Sequence, residues 1–255
     1  MTGIADRYFE TLIARLAQVR DTQAAAIDAA ATACAESIAK EKLVFAFGTG
    51  HGALPALETF PRTGTIVGFR PIVESTMISF HRVWGDMGAR QYRFIHGMEG
   101  YGRAILRSHR LDPADTIILF SHSGVNAVIL DIAIDCKARG LTVIAVTSLP
   151  HSGATASRHS SGKRLFEVAD VTIDTGVPLA DASLAIDGLA HPVGASSTSI
   201  TIAIAHAIVS ATAEKLVARG VTPLVMVNPN TAGKDEANRL NDANYEALWL
   251  RLAAR

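Results

Sequence analysis

The sequence lacks most of the residues and patterns that would declare a function outright. It has two cysteines, Cys34 and Cys136, in 255 residues. Both sit among alanines and other apolar residues, and neither belongs to a metal-ligand spacing. That argues against a structural zinc and for two buried, inert thiols. Charge of one sign is missing as well: Lys plus Arg and Asp plus Glu number 24 each. A neutral balance leaves no electrostatic footprint for nucleic acid or an anionic membrane. No run of about 20 apolar residues is present, so no membrane span is expected. The first twenty residues carry Asp6 and Glu10 and do not read as a signal peptide. A cytoplasmic protein is the expectation. Nine histidines fall into no H-E-x-x-H spacing, so neither a metal nor another cofactor is expected. Ser123 lacks the G-x-S-x-G elbow of a hydrolase, and no G-x-x-x-x-G-K-[ST] phosphate loop appears.

What is present is apolar and regularly punctuated. Hydrophobic residues make up 49% of the chain, enough for a substantial core. From Ile4 to Lys40, apolar residues recur at helical spacing, with Asp21-Thr22 as a possible division and Thr22 as the second helix's cap. Short continuous apolar runs follow: Leu43 to Phe47, Thr116 to Phe120, Thr142 to Val146 and Val171 to Asp174. Such runs fit strands buried on both faces. Ile66 to Val73 is a further strand candidate, interrupted by Gly68 and Pro71. Helical patterns lie between them, notably Asn126 to Arg139. Residues 175–197 read as loop, and helices are expected from Thr198 to Arg219 and from Lys234 to Ala254. This alternation predicts an α/β fold, a three-layer, doubly wound parallel sheet. Residues 1–40 would form a helical arm packed on a single compact unit, 41–255.

In such a sheet, ligands bind beyond the carboxyl ends of the strands. Three segments lie there: Thr49-Gly50-His51-Gly52, Ser121-His122-Ser123-Gly124 with Asn126, and Thr147-Ser148. The second is the strongest signal. Two hydroxyls leave a strand, a glycine turns the backbone, and a helix begins near Val125 or Asn126. The free amides and dipole of that helix favour an anion. The first segment is nearly a G-x-G-x-x-G fingerprint, which keeps a dinucleotide site open with Glu74 as its acidic residue. Arg158, His159, Lys163 and Arg164 could close over an anionic ligand or could form an ordinary solvated loop.

These pieces together resemble the SIS (sugar isomerase) domain family. The resemblance rests on G-T-G-H after the first strand, on S-H-S-G-V-N, and on S-R-H-S-S-G-K-R-L-F-E-V-A-D-V-T-I-D. It implies a flavodoxin-like, SIS-type sheet, a phosphorylated sugar as ligand and a homodimer or tetramer. It implies an aldose–ketose isomerase working through an enediol. A sugar-phosphate sensor and a phosphosugar lyase or etherase are the alternatives. Distant similarity to sedoheptulose-7-phosphate isomerase suggests Glu58 and His206 as the catalytic acid–base residues. Glu99 and His81 are the reserves for those roles and could belong to a sugar-ring wall, while Trp84 and Tyr101 could stack on a sugar face or equally fill the core. Where Gly52 stands, relatives commonly have a serine whose hydroxyl joins the phosphate site.

Overall fold

The computed structural model describes residues 3–78, 83 and 88–255. His81 and Trp84 lie outside the described residues. The first half of the chain runs α1 (Ile4–Ala39), β1 (Val44–Gly48), a 3-10 turn (Gly50–Gly52), α2 (Ala53–Glu58), β2 (Phe69–Pro71), α3 (Ser75–Ile78), α4 (Ala89–Ile95), α5 (Tyr101–Leu106) and β3 (Thr116–Phe120). The second half continues with α6 (Ala127–Ala138), β4 (Thr142–Thr147), α7 (Leu149–Ala154), α8 (Leu165–Val168), β5 (Val171–Asp174), β6 (Ala182–Leu184), β7 (Val193–Ala195), α9 (Ser197–Ala218), α10 (Pro229–Ala232) and α11 (Lys234–Ala253).

Strands β1 to β5 form one parallel sheet in the order β2-β1-β3-β4-β5. This is the flavodoxin-like order, with its switch point between β1 and β3. Side chains alternate across the strands and divide the core into two layers. Val44, Ala46, Ile118, Phe120, Ile144 and Val146 pack under α1 and α9. Phe45, Phe47, Ile117, Leu119, Val143 and Ala145 pack on the opposite side with α5, α6 and α11. Both faces are covered, which explains why these strands are apolar throughout rather than alternating.

Three details depart from expectation. Helix α1 is continuous, and Thr22 caps nothing: its hydroxyl donates to the Gln18 carbonyl within the helix. The strand expected over Ile66 to Val73 shortens to three residues at the sheet edge, where Pro71 is tolerated. The segment expected to be loop contains the antiparallel hairpin β6–β7. Its strands have three residues each, too short for periodicity to register.

Helix α9 is long and apolar enough to cross a bilayer, with a mean hydropathy of 1.5 over its most apolar window. Its Ile200, Ile204, Ile208 and Leu216 are buried with α1 and the sheet, as in a core helix. The two cysteines are free and fully buried, and burial pushes both thiols up to about 12. They are inert at neutral pH. At the amino end of β3, buried Asp115 receives both arms of the Arg255 guanidinium at 2.6 and 2.7 Å. It also accepts the Leu43 and Asp112 amides, tying the last residue to the sheet.

Candidate functional site

Beyond the carboxyl ends of β1 and β3 lies a cleft of about 280 Å³. From the sequence candidates it takes Thr49, His51, Gly52, Ser121, His122, Ser123 and Asn126. Tyr92, His151, Ser197, Thr198 and Thr201 join them and were not foreseen as site residues. The carboxyl-end rule explains the position, because the strand order reverses there and the two crossovers diverge.

The turn after β3 is held in shape by its own hydroxyls. Ser121 Oγ accepts the Gly124 amide at 3.1 Å and so holds the turn. Gly124 has φ +62°, and a Cβ there would lie 2.9 Å from Thr147 Oγ1 and 3.0 Å from Ser152 Oγ. Asn126 is the N-cap residue of α6, but its side chain caps nothing. Instead its amide donates to Ser123 Oγ at 3.5 Å and its carbonyl accepts from Arg158 at 3.0 Å. The amino ends of α6 and α9 and the 3-10 turn before α2 converge on this cleft. The α6 end brings backbone amides without intrahelical partners and the positive end of its dipole, whereas the first amide of α9 is already taken by Asp181.

Asp181 fixes the start of α9. Its carboxylate accepts the Ser196 and Ser197 amides at 2.9 and 2.8 Å and the Ser197 hydroxyl at 2.7 Å. Burial opposes its ionisation, but these donors outweigh burial and lower its pKa. Nothing in the spacing announced Asp181, because its work depends on β6 pairing with β7, which sets Ala182 opposite Ala195 and so brings Asp181 beside Ser196.

Thr147 and Ser148 do not line the cleft. Both are fully buried, with Thr147 Oγ1 donating to the His122 carbonyl at 3.3 Å and Ser148 Oγ to that of Val177 at 2.5 Å. Gly50 is buried behind the turn and is not part of the lining. Of the basic loop residues, Arg158 reaches the rim through Asn126, whereas Arg164 pairs with Glu167 at 2.9 Å. Glu99 accepts the Ser160 amide and hydroxyl at 2.5 and 2.6 Å, away from the cleft. Glu74 bonds to Thr76 at 3.0 Å and Tyr101 at 3.3 Å, so it is not aimed at a dinucleotide ribose in this cleft.

Glu58 and His206 come together from 148 residues apart, with Glu58 Oε2 3.2 Å from His206 Nε2. They lie outside the cleft lining, and Arg62 also holds Glu58 Oε2 at 2.5 Å. The Arg62 hydrogen bond, against a smaller opposing effect of burial and with help from His206, keeps the Glu58 carboxyl below its usual range.

Gly52 explains the missing hydroxyl. A Cβ at this position would stand 2.9 Å from the carbonyl oxygen of Phe120. The β1 turn thus approaches the end of β3 too closely for any side chain. Gly52→Ser is expected to lower stability by about 1–3 kcal/mol through overpacking without tightening phosphate binding. Urea denaturation and a phosphate titration check this. A variant of full stability and higher affinity would show that the turn can open.

The SIS domain profile matches residues 7–148. The chain belongs to the SIS-domain family. A UPF0309 protein of Streptomyces griseus is 32% identical over 235 residues, covering 92% of each chain. A UPF0309 protein of Brucella ovis is 33% identical over 245 residues, covering 96% of this chain and 97% of the relative. Among solved structures, the phosphoheptose isomerase of Neisseria gonorrhoeae aligns with a TM-score of 0.54 at 16% identity. It covers 82% of this chain and 97% of its own. That likeness is one of fold.

Proposed function

We propose that this SIS domain binds a phosphorylated sugar in the β1–β3 cleft and interconverts its aldose and ketose forms. The observation that carries the binding half is the convergence of helix amino ends with the Ser121 to Asn126 turn. Backbone amides and hydroxyls suit a phosphate oxygen by oxygen. Thr198 and Thr201 on α9, with Tyr92, offer hydroxyls to a polyol on the other wall.

The catalytic half rests on Glu58 and His206. Glu58 is six residues past Gly52 and His206 five past Thr201, about 9 and 7.5 Å of helix rise. The pair therefore stands at a distance from the phosphate seat comparable with the length of an extended sugar. A carboxylate removes the proton from the carbon beside the carbonyl, and an imidazole shuttles protons between the neighbouring oxygens. The Arg62 contact supports a second reading. A carboxylate held by a guanidinium is a weaker base, as suits a sensor that binds without turnover.

Phosphorylated aldoses, ketoses and amino sugars screened in deuterium oxide separate the two readings. Isomerisation predicts solvent deuterium at the carbon next to the carbonyl for at least one ligand. Tight binding with no exchange for any of them contradicts isomerisation and favours the sensor. Exposed Leu57, Phe60, Tyr245 and Trp249 line an apolar groove, which is consistent with the homodimer or tetramer proposed alongside.

A further inference from the structure

The phosphate seat leaves one group of polar atoms in the cleft unused. His122 projects from between the two serines; both its ring nitrogens are buried and make no hydrogen bond of good geometry, with the Pro178 and Leu179 carbonyls close enough to favour a proton there. His151 meets it edge-on, with ring centroids 4.5 Å apart and planes at 87°. The Nδ1 of His151 is also buried and unpartnered. A buried polar atom left unpaired keeps its full desolvation cost. Two facing rings that carry this cost together are placed to meet something that enters the cleft.

The lining has a second peculiarity. Among the described residues it contains no Lys, Arg, Asp or Glu. A phosphate monoester carries a charge of about −1.5 to −2 at neutral pH. Hydroxyls and helix ends solvate that charge but do not neutralise it. Arg158, whose guanidinium bonds to a lining residue, is engaged with Asn126 Oδ1 at the rim. An imidazole that gains a proton becomes a cation with two donors.

We propose that His122 and His151 supply the missing positive charge: when a phosphate dianion binds, the pair takes up a proton and donates to the phosphate oxygens. The proposal rests on the phosphate seat described above. The covalent balance is simple, since one proton passes from solvent to an imidazole nitrogen and no other bond changes.

The surrounding groups fit this role. In the free protein, burial pushes His122 down, and the Asp181 carboxylate and the Pro178 and Leu179 carbonyls partly offset it. Burial, His122 and Arg158 push His151 down, with Asp181 opposing. Burial also lowers His96, as do Arg158 and Arg93, while Asn126 opposes. His51 and Tyr92 complete the titratable groups of the lining. Both rings of the pair therefore hold a proton less readily than a free imidazole before the ligand arrives. A dianion beside them raises their affinity for a proton. Two imidazoliums in edge contact would repel, so a single shared proton is expected. Uptake occurs between the lowered free pKa and the raised bound one. Affinity declines as pH rises through the bound value.

Calorimetric titration of the full chain with ribose 5-phosphate and with inorganic phosphate, at pH 7.5, tests this. Phosphate-free buffers of low and high ionisation enthalpy report the protons exchanged. At that pH ribose 5-phosphate is largely dianionic, because the second pKa of a phosphate monoester is about 6, so the proton count is read from that probe and inorganic phosphate reports binding only. On the order of one proton taken up per ligand is expected. His122→Gln and His151→Gln should each reduce the uptake and weaken binding by about tenfold or more. Imidazole ¹⁵N shifts of the unmodified protein should move to imidazolium values as ligand is added, a readout independent of how the variants fold. Binding without proton uptake, or unchanged uptake in both variants, overturns the proposal and leaves the seat intact. Failure of both probes to bind the unmodified protein overturns the seat, and the proposal with it.

Discussion

Glu58→Gln is expected to slow deuterium exchange at the carbon beside the carbonyl by about 10²–10⁴-fold. Glutamine keeps the shape and one hydrogen-bonding oxygen beside Arg62 and His206 but cannot accept the carbon's proton. Affinity for the sugar phosphate should change little, because the contacts to its charged phosphate lie in the cleft, away from Glu58. His206→Ala should show a loss of similar order with affinity again preserved. The ionisation of Glu58 sets the sign of the pH dependence. The base works as a carboxylate, and Arg62 holds its pKa below the usual range. The rate should stay level as pH falls to the ordinary carboxylate range and decline only below it. Exchange followed by proton NMR at saturating ligand measures both effects. An unchanged rate in Glu58→Gln would remove this residue from the mechanism.

The second large effect concerns the fold. Asp115→Ala should destabilise the protein by about 3–5 kcal/mol. The Asp115 side chain is wholly buried and Arg255 is 11% exposed, so the substitution leaves a guanidinium without its anion. It also strips the Leu43 and Asp112 amides of an acceptor. Urea denaturation measures the loss. Because Asp115 is at the opposite end of β3 from Ser121, the fraction that remains folded should bind sugar phosphate normally. A loss below about 1 kcal/mol would mean that Arg255 and the two amides find other partners, as exposed pairs do.

The sheet was legible in the sequence because each central strand is buried on both faces. Runs such as Thr116 to Phe120 stand out from the helices around them, and their ends match the observed β3. The Ser121 to Asn126 turn stood out for a related reason: its hydroxyls and Gly124 are contiguous in the chain. Residues that reach the cleft from afar were not. Thr198 and Thr201 come from a helix that periodicity assigns to the core. His151 comes from α7, and Tyr92 crosses from α4. Thr147 and Ser148 show the converse. They occupy a strand end, as site residues do, but their hydroxyls face inward to the His122 and Val177 carbonyls. Composition and spacing locate hydroxyls and do not say which way they turn. The Gly52 departure likewise became intelligible only with the Phe120 carbonyl beside it.

The central claim is that the cleft seats the phosphate of a sugar phosphate on the Ser121 to Asn126 turn. Its most direct test compares the affinities of one sugar phosphate and its unphosphorylated parent sugar for the unmodified protein and for Ser123→Ala. Removing one hydrogen bond to a charged ligand should weaken sugar-phosphate binding by about 1.5–3 kcal/mol. The parent sugar should bind far more weakly and be indifferent to the substitution. Equal affinity for the two ligands, or a sugar phosphate that binds Ser123→Ala as tightly as the unmodified protein, would contradict the account.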